Sequence, residues 1–241
     1  TGGLLLVALL GIQLLAQSSI NTAVVDLFPP GPAGELEAML GVTLPVSGTV
    51  AIALFAGSIA LSSVYFVVMS RALTRPMDEL STFPSELYSR RMGRATLSML
   101  VGGFVVWVSV MFGFALLVLP GIFLSICFLF FIFAVGVEDR GVLGALKRSW
   151  ALSRGNRLKL ALFVLFAGVV GALVGVVGTL SDLAGSPLIG ELLSNTLSSV
   201  LFVFLYGMMA SAYVQVRDDH VGRQGGAETS ETMGRLGATD Q

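Results

Sequence analysis

The chain of 241 residues is too apolar for a soluble protein, because 55% of its residues are hydrophobic and only 12% are charged, whereas soluble domains carry about 25% charged residues. One cysteine, one histidine and a net charge of −1 give no basis for a disulfide framework, a metal centre, a cofactor or a nucleic-acid partner. The composition predicts an integral membrane protein without cofactor or metal.

Six apolar segments are long enough to cross a bilayer as helices, since its hydrocarbon core of about 30 Å needs about 20 helical residues. In chain order they cover residues 3–20, 48–70, 95–137 (counted as two), 160–180 and 192–216. The predicted fold class is therefore all-α, a polytopic protein of six transmembrane helices in one membrane domain over residues 1–216.

The uncharged stretch 95–137 is counted as two spans because a single helix of that length would measure about 64 Å. Proline interrupts helices, and the sequence LPG lies near the middle of the stretch. We therefore expect a helical hairpin that turns at Pro120 and Gly121, with residues 97–117 packed antiparallel to residues 122–137.

The basic residues predict the topology, because lysine and arginine favour short cytoplasmic loops. All 14 lie in three alternate connections or tails, between spans two and three, between spans four and five, and after span six. The other loops hold only acidic charges. This pattern predicts a multi-pass protein of the cell membrane with both termini in the cytoplasm.

The two ends of the chain carry separate expectations. The first residue is Thr1, so we expect upstream residues to have been removed, and a cleaved signal peptide is the alternative for the first apolar segment. Residues 217–241 are polar and rich in glycine, which predicts a disordered cytoplasmic tail.

Residues 141–154, between spans four and five, form an amphipathic pattern at 100° per residue. Val142, Leu143, Leu146, Trp150 and Leu152 share one arc with Ala145 and Ser149, opposite the basic side chains. We predict a short cytoplasmic helix in the plane of the membrane interface that contacts lipid headgroups. The predicted contact residues are Lys147, Arg148, Trp150, Arg154 and Arg157. The alternative is a topological anchor for span five.

Small residues recur every four positions in span five, at Ala167, Gly171 and Gly175. Such spacing lets membrane helices approach closely. We predict that these residues pack inside the bundle, and the alternative is a seam with a second copy or another membrane protein.

Polar side chains within the spans are few and mostly neutral, and the largest group is the cluster at 194–199. No ionisable side chain lies deep in a predicted span, although coupled transporters and intramembrane enzymes usually need one. No catalytic residue is therefore assigned. A substrate site at the cluster remains an alternative.

The middle of the chain resembles a known membrane region. LPGIFL at 119–124 and VEDRGVLGALKRSWALSRGNR at 137–157 are similar to the membrane domain attached to some glycerophosphoryl diester phosphodiesterases and to its stand-alone relatives, most of all those of halophilic archaea. The resemblance implies a multi-span helical domain. In fused members the chemistry belongs to a soluble barrel of about 250 residues, which has no counterpart here, so phosphodiesterase activity is not expected.

Two classes of function follow from the sequence. The first is a non-enzymatic membrane scaffold or lipid-interacting accessory with a basic cytoplasmic face, whose partners are membrane lipids and a membrane protein or a second copy. The alternative is a small permease or channel subunit. A polar path through the bundle would distinguish the second from the first.

Overall fold

The computed structural model describes residues 2–29, 37, 40–76, 79, 84, 86–185 and 187–239, without the side chains of 86, 88, 182, 187 and 219–239. Its described elements are all helices. They are α1 (Gly2–Val25), α2 (Gly48–Leu73), α3 (Glu86–Ser89), α4 (Met92–Leu116), α5 (Val118–Phe128), α6 (Phe131–Gly136), α7 (Val142–Ser153), α8 (Arg157–Leu183) and α9 (Pro187–Thr239).

The all-α class and the six spans are confirmed. Six helical stretches are long and apolar enough to cross a membrane, and α5 and α6 together form the fourth, Val118–Gly136. The short helix predicted between spans four and five is α7. No strand occurs among the described residues. Helical spans suit a bilayer because they satisfy every backbone hydrogen bond internally.

The hairpin of α4 and α5 exists, but its turn lies three residues before the predicted one. Leu117 is extended, with φ −163° and ψ 154°, and breaks the helix. Pro120 and Gly121 lie in the first turn of α5, where a proline is tolerated because the amides there have no partner within the helix.

Glycines set the close approach of the two hairpin helices. A Cβ atom on Gly113 would stand 2.9 Å from the Cα atom of Gly121, and one on Gly102 would collide with the ring of Phe131. These contacts pair the end of α4 with the start of α5 and the middle of α4 with α6. The helices are therefore antiparallel, as the sequence predicts.

The core centres on the fourth span. In the most apolar 18 residues of that span 44% are buried, whereas the corresponding share in the fifth span is 11%. Phe130, Phe133, Ala134 and Val135 are fully buried. The residues around Phe130 and Phe133 pack against α8 and α9, and those around Ala134 pack against α2, α4 and α7. The α5–α6 segment is thus the central element of the bundle.

The last helix extends beyond its apolar part. The span ends at Asp218, whereas the helical backbone of α9 continues to Thr239. The sequence predicts disorder for residues 217–241. No side chain beyond Asp218 is among those described, so no contact tests that expectation and it stays a prediction.

Candidate functional site at the basic end

The helices alternate in direction, so that the ends of the spans that carry lysine and arginine all lie at one end of the bundle. We call this the basic end and define it by residues 71–75, 86–94, 136–159 and 217–218. The other end, formed by residues 20–29, 40–48, 116–121, 181–185 and 187–199, is called the opposite end.

A buried ion pair lies at the centre of the basic end. Arg71, in the last turn of α2, and Asp139, just after α6, have side chains only 8% and 9% exposed, with Nη2 and Oδ1 2.9 Å apart. Arg71 also donates from Nε to the carbonyl of Gly136 at 2.7 Å and from Nη1 to that of Leu87 at 3.1 Å. A buried charge needs such partners, and they join α2, α3 and the end of α6.

The backbone at Asp139 explains how its carboxylate reaches Arg71. Its φ of 51° lies in the left-handed region, which aspartate enters more readily than most residues. The second carboxylate oxygen lies 2.9 Å from Nη2 of Arg90, which is exposed. Asp139 therefore connects a buried guanidinium with one at the surface.

Glu138, beside it, gathers three donors. Its carboxylate accepts hydrogen bonds from the Tyr213 hydroxyl at 2.8 Å, from Nε of Arg148 at 3.0 Å and from Nε of Arg140 at 2.5 Å. Burial acts to raise the pKa of Glu138, but the hydrogen bonds of Tyr213, Arg140 and Arg148 outweigh it and hold the pKa below its ordinary value. This carboxylate links α9 to α7.

Sequence reasoning missed Arg71, Asp139 and Glu138 as a site. Arg71 appears there only as one of the 14 basic residues that predict the topology. An arginine within the last turn of one span and an acidic pair directly after another were the available signals. Their separation of 68 residues gave no indication that they meet.

The helix α7 packs against protein more than the sequence predicts. Ala145, Ser149 and Leu152 are fully buried, and the Ser149 hydroxyl donates to the carbonyl of Cys127 at 2.8 Å. Residues at positions i, i+4 and i+7 share one helix face, and the small side chains among them allow close approach. The expectation that the apolar face of α7 lies in the lipid interface is therefore wrong for these three residues. Leu143, at the edge of that face, is exposed.

The five predicted headgroup residues divide into three groups. Lys147 and Arg154 are exposed. Arg148 is turned towards Glu138. Trp150 is half-buried against the rings of Phe123 and Phe128, at centroid distances of 5.7 and 6.3 Å, and the guanidinium of Arg157 lies over it. The structure thus brings Trp150 and Arg157 together and separates them from the exposed pair.

Several exposed cations remain at this end without an ion-pair partner among the described residues. They are Arg91, Arg94, Lys147, Arg154 and Lys159. The acids of the 136–140 turn are already engaged by other arginines. Among the side chains that the structure describes, the surface of the basic end therefore presents cations that no acid pairs with.

An apolar cleft of about 310 Å³ separates the α4–α5 hairpin from α8 and α9. Its walls are almost wholly hydrocarbon and aromatic. They consist of Val106, Val110, Ser125, Phe128, Leu129, Ile132, Phe163, Ala167, Phe202, Leu205, Tyr206 and Met209. Of the predicted packing residues, only Ala167 lies here.

The other two predicted packing residues contact no neighbouring helix. Gly171 and Gly175 are exposed, and a Cβ atom on either would meet no other part of the described chain within 4 Å. The prediction that they pack inside the bundle is therefore wrong for this chain alone, because α8 lies at the edge of the bundle. A seam with a second protein stays a prediction.

The opposite end is held by hydrogen bonds from neutral side chains and from carboxylates, including that of Asp26, which accepts from the amide of Gly48 at 2.9 Å. Asn21 donates from Nδ2 to the carbonyls of Leu40 and Val42 at 2.7 and 3.1 Å, and Thr22 accepts from the amide of Leu44 at 2.7 Å. Glu191 accepts from the amide of Val42 at 2.6 Å. These bonds fasten residues 40–44 to α1 and α9.

Two members of the polar cluster at 194–199 are hydrogen-bonded, whereas the Ser194 hydroxyl is buried without a partner among the described residues. Ser199 is buried and bonds to Oε1 of Gln13 and to the carbonyl of Asn195, both at 2.8 Å. The Thr196 hydroxyl donates to the carbonyl of Leu192 within its own helix. These contacts are those of helix packing, and they supply no base for a nucleophile.

Six apolar helical spans, joined at one end by a charged network, define an integral, multi-pass membrane protein. The chain belongs to the family described as a domain of unknown function, DUF7847, whose pattern matches residues 1–216. No curated protein and no solved structure matches it. The resemblance to the membrane region of glycerophosphoryl diester phosphodiesterases stays a prediction.

Proposed function

We propose that this protein is a non-enzymatic scaffold or lipid-interacting accessory of the cell membrane, whose basic end faces the cytoplasm and binds anionic headgroups. The observation that carries the proposal is the division of charge at that end. The acids are bound by Arg71, Arg90, Arg140 and Arg148, while other cations stay exposed. Each basic side chain near an anionic leaflet is worth about 1 kcal/mol.

The alternative, a permease or channel subunit, has less support. Such a protein needs polar groups along a route between the two ends. The cleft between the hairpins is lined by apolar side chains apart from Ser125 and Tyr206, and the Ser125 hydroxyl is bonded to the carbonyl of Gly121. A lining of this kind favours contact with lipid over passage of a polar solute.

The lipid-binding proposal is tested by the lipids retained on purification. Changing Lys147, Arg154 and Lys159 together to Gln should remove about 3 kcal/mol of interfacial attraction and deplete phosphatidylglycerol relative to phosphatidylcholine, as measured by mass spectrometry. Changing Lys147 and Lys159 to Arg keeps the charge and should leave retention unchanged. Equal retention by the Gln variant and the parent would reject the proposal.

The orientation is tested separately by labelling single cysteines. In a Cys127→Ala background, Ala184→Cys and Ser89→Cys introduce thiols at exposed positions of the opposite end and the basic end. An impermeant thiol reagent added to intact cells should label Ala184→Cys and spare Ser89→Cys until the cells are opened. Labelling of Ser89→Cys in intact cells would reverse the proposed topology.

The absence of enzymatic activity forms the last part of the proposal. Incubating the purified chain with glycerophosphodiesters should leave them intact, and release of glycerol phosphate that survives repurification would contradict it.

A further inference from the structure

We infer that Arg157 and the cleft between the α4–α5 hairpin and the helices α8 and α9 together form the site of one anionic phospholipid. An acyl chain lies in the cleft and the phosphate lies at the guanidinium. This inference rests on the proposed lipid-interacting function and assigns that function to a defined site. Headgroup binding by the exposed cations of the basic end requires no cleft, whereas binding at this site requires one.

The position of Arg157 supports a headgroup contact. Its guanidinium carbon lies 5.0 Å from the centre of the Phe123 ring and 5.5 Å from that of Trp150, and its Nε is buried without a hydrogen-bond partner in the described part of the chain. No described carboxylate pairs with it. An unsatisfied donor on a cation is costly, and a phosphate oxygen is the acceptor that arginine suits best.

One side chain connects the surroundings of this cation with the cleft. Phe128 belongs to both features, since it packs against Trp150 and lines the cleft. On α8, the lining residue Phe163 follows Arg157 by six positions, which is about 9 Å along a helix. A phosphate at Arg157 therefore places the start of an acyl chain at the mouth of the cleft.

The size and chemistry of the cleft fit hydrocarbon. Its volume of about 310 Å³ lies at the lower end of the range of small-molecule pockets, about 300–1,000 Å³, which suits one chain or part of one. The exposed cations Arg154 and Lys159 flank Arg157 in sequence and raise the local concentration of anionic headgroups. Charge thus selects the headgroup, and the cleft holds the chain.

The test uses the full-length protein in vesicles of phosphatidylcholine that contain phosphatidylglycerol with a photoreactive diazirine on one acyl chain. In the parent, crosslinks should map to α5, α8 and α9 around Phe128, Phe163 and Met209. Arg157→Gln should lower this labelling about tenfold. Its matched control, Arg217→Gln, removes an arginine charge that is already paired with Asp218 on α9 and should change labelling by less than about twofold.

A second pair of variants tests the cleft itself. Ala167→Phe places a ring in the cleft and should abolish crosslinks there for phosphatidylglycerol and for a diazirine-labelled phosphatidylcholine alike. Ala172→Phe adds the same ring at an exposed position of α8 and should label as the parent does. Should Ala167→Phe elute as aggregate in gel filtration, the Arg157→Gln pair decides by itself.

The outcomes separate the two proposals. Parent-like labelling in Arg157→Gln, or crosslinks that map outside the cleft, overturns this site while the basic-surface proposal stands on lipid retention. Equal cleft labelling by phosphatidylglycerol and phosphatidylcholine in the parent also overturns it, because the cation then selects nothing. If the parent protein shows no preference for anionic lipids in either measurement, both the proposed function and this site are rejected.

Discussion

The two ends of the bundle are held together by different chemistry. At the basic end, Arg71, Asp139 and Glu138 connect α2, the turn after α6 and α9 through charged hydrogen bonds. At the opposite end, Asn21 and Thr22, together with the carboxylates of Asp26 and Glu191, fasten residues 40–48 through single bonds to the backbone, and no ion pair occurs there among the described residues. Breaking a buried charge pair costs more than breaking a neutral hydrogen bond, so the basic end should be the more sensitive to single substitutions.

The core reinforces this contrast. The fully buried aromatic residues Phe130, Phe131 and Phe133 lie near the basic end of the fourth span, whereas at the opposite end Leu117, Val118 and Leu119 remain more than 60% exposed. Tight packing around the charged network excludes water and strengthens its interactions. The network and the core therefore depend on each other at one end of the molecule only.

The largest expected effect comes from Asp139→Asn. Asparagine also tolerates a positive φ, so the change removes the charge and preserves the backbone, leaving Arg71 buried without its counter-charge. We expect a loss of about 3 kcal/mol in the free energy of unfolding, measured by titrating sodium dodecyl sulfate into mixed micelles. Asp218→Asn, in the exposed pair with Arg217, should cost at most about 1 kcal/mol. Equal losses would remove the distinction between buried and exposed charge.

Asn21→Leu tests the opposite end by the same unfolding measurement. The leucine leaves the carbonyls of Leu40 and Val42 without their donor, and the expected loss is about 2 kcal/mol. Thr196→Val, which removes an exposed hydroxyl bonded within its own helix, should stay within about 0.5 kcal/mol of the parent. A loss from Asn21→Leu larger than that from Asp139→Asn would break the proposed order of the two ends.

Gly113→Ala tests the contact of the hairpin near its turn, where backbone proximity replaces polar bonds. The new methyl group would stand 2.9 Å from the Cα atom of Gly121, so the helices must separate, with a net cost of about 1 kcal/mol. Gly103→Ala meets nothing within 4 Å and should stabilise the helix by up to about 1 kcal/mol. A stabilising Gly113→Ala would show that α4 and α5 do not depend on this contact.

The smallest expected difference between the two ends lies in the pH dependence of the free energy of unfolding. Because the pKa of Glu138 is lowered in the folded state, its contribution to stability is present above the ordinary glutamate pKa of about 4.3 and is lost as pH falls through the lower folded value. Glu138→Gln should therefore flatten the acid limb of a stability–pH curve. Asn21→Leu changes no ionisable group and should keep the slope of the parent, so a matching flattening there would contradict the assignment.

Much of the fold could be predicted from the sequence, whereas the candidate site could not. The number of spans and the hairpin followed from the length of uncharged runs, and the short helix α7 followed from its amphipathic period. The turn was misplaced because Pro120 suits the first turn of a helix as well as a break. Gly171 and Gly175 were misassigned because small-residue spacing shows that a helix can pack closely, without indicating what it packs against.

What the sequence by itself determined is the partition between membrane and water, since the transfer free energy of each residue is a local property that adds along a segment. The tertiary structure alone decided which charges meet. The pairing of Arg71 with Asp139, the turning of Arg148 towards Glu138 and the position of the Arg157 guanidinium over the rings of Phe123 and Trp150 depend on the rotation and register of several helices at once. Such collective geometry is set by packing, and no single segment carries it.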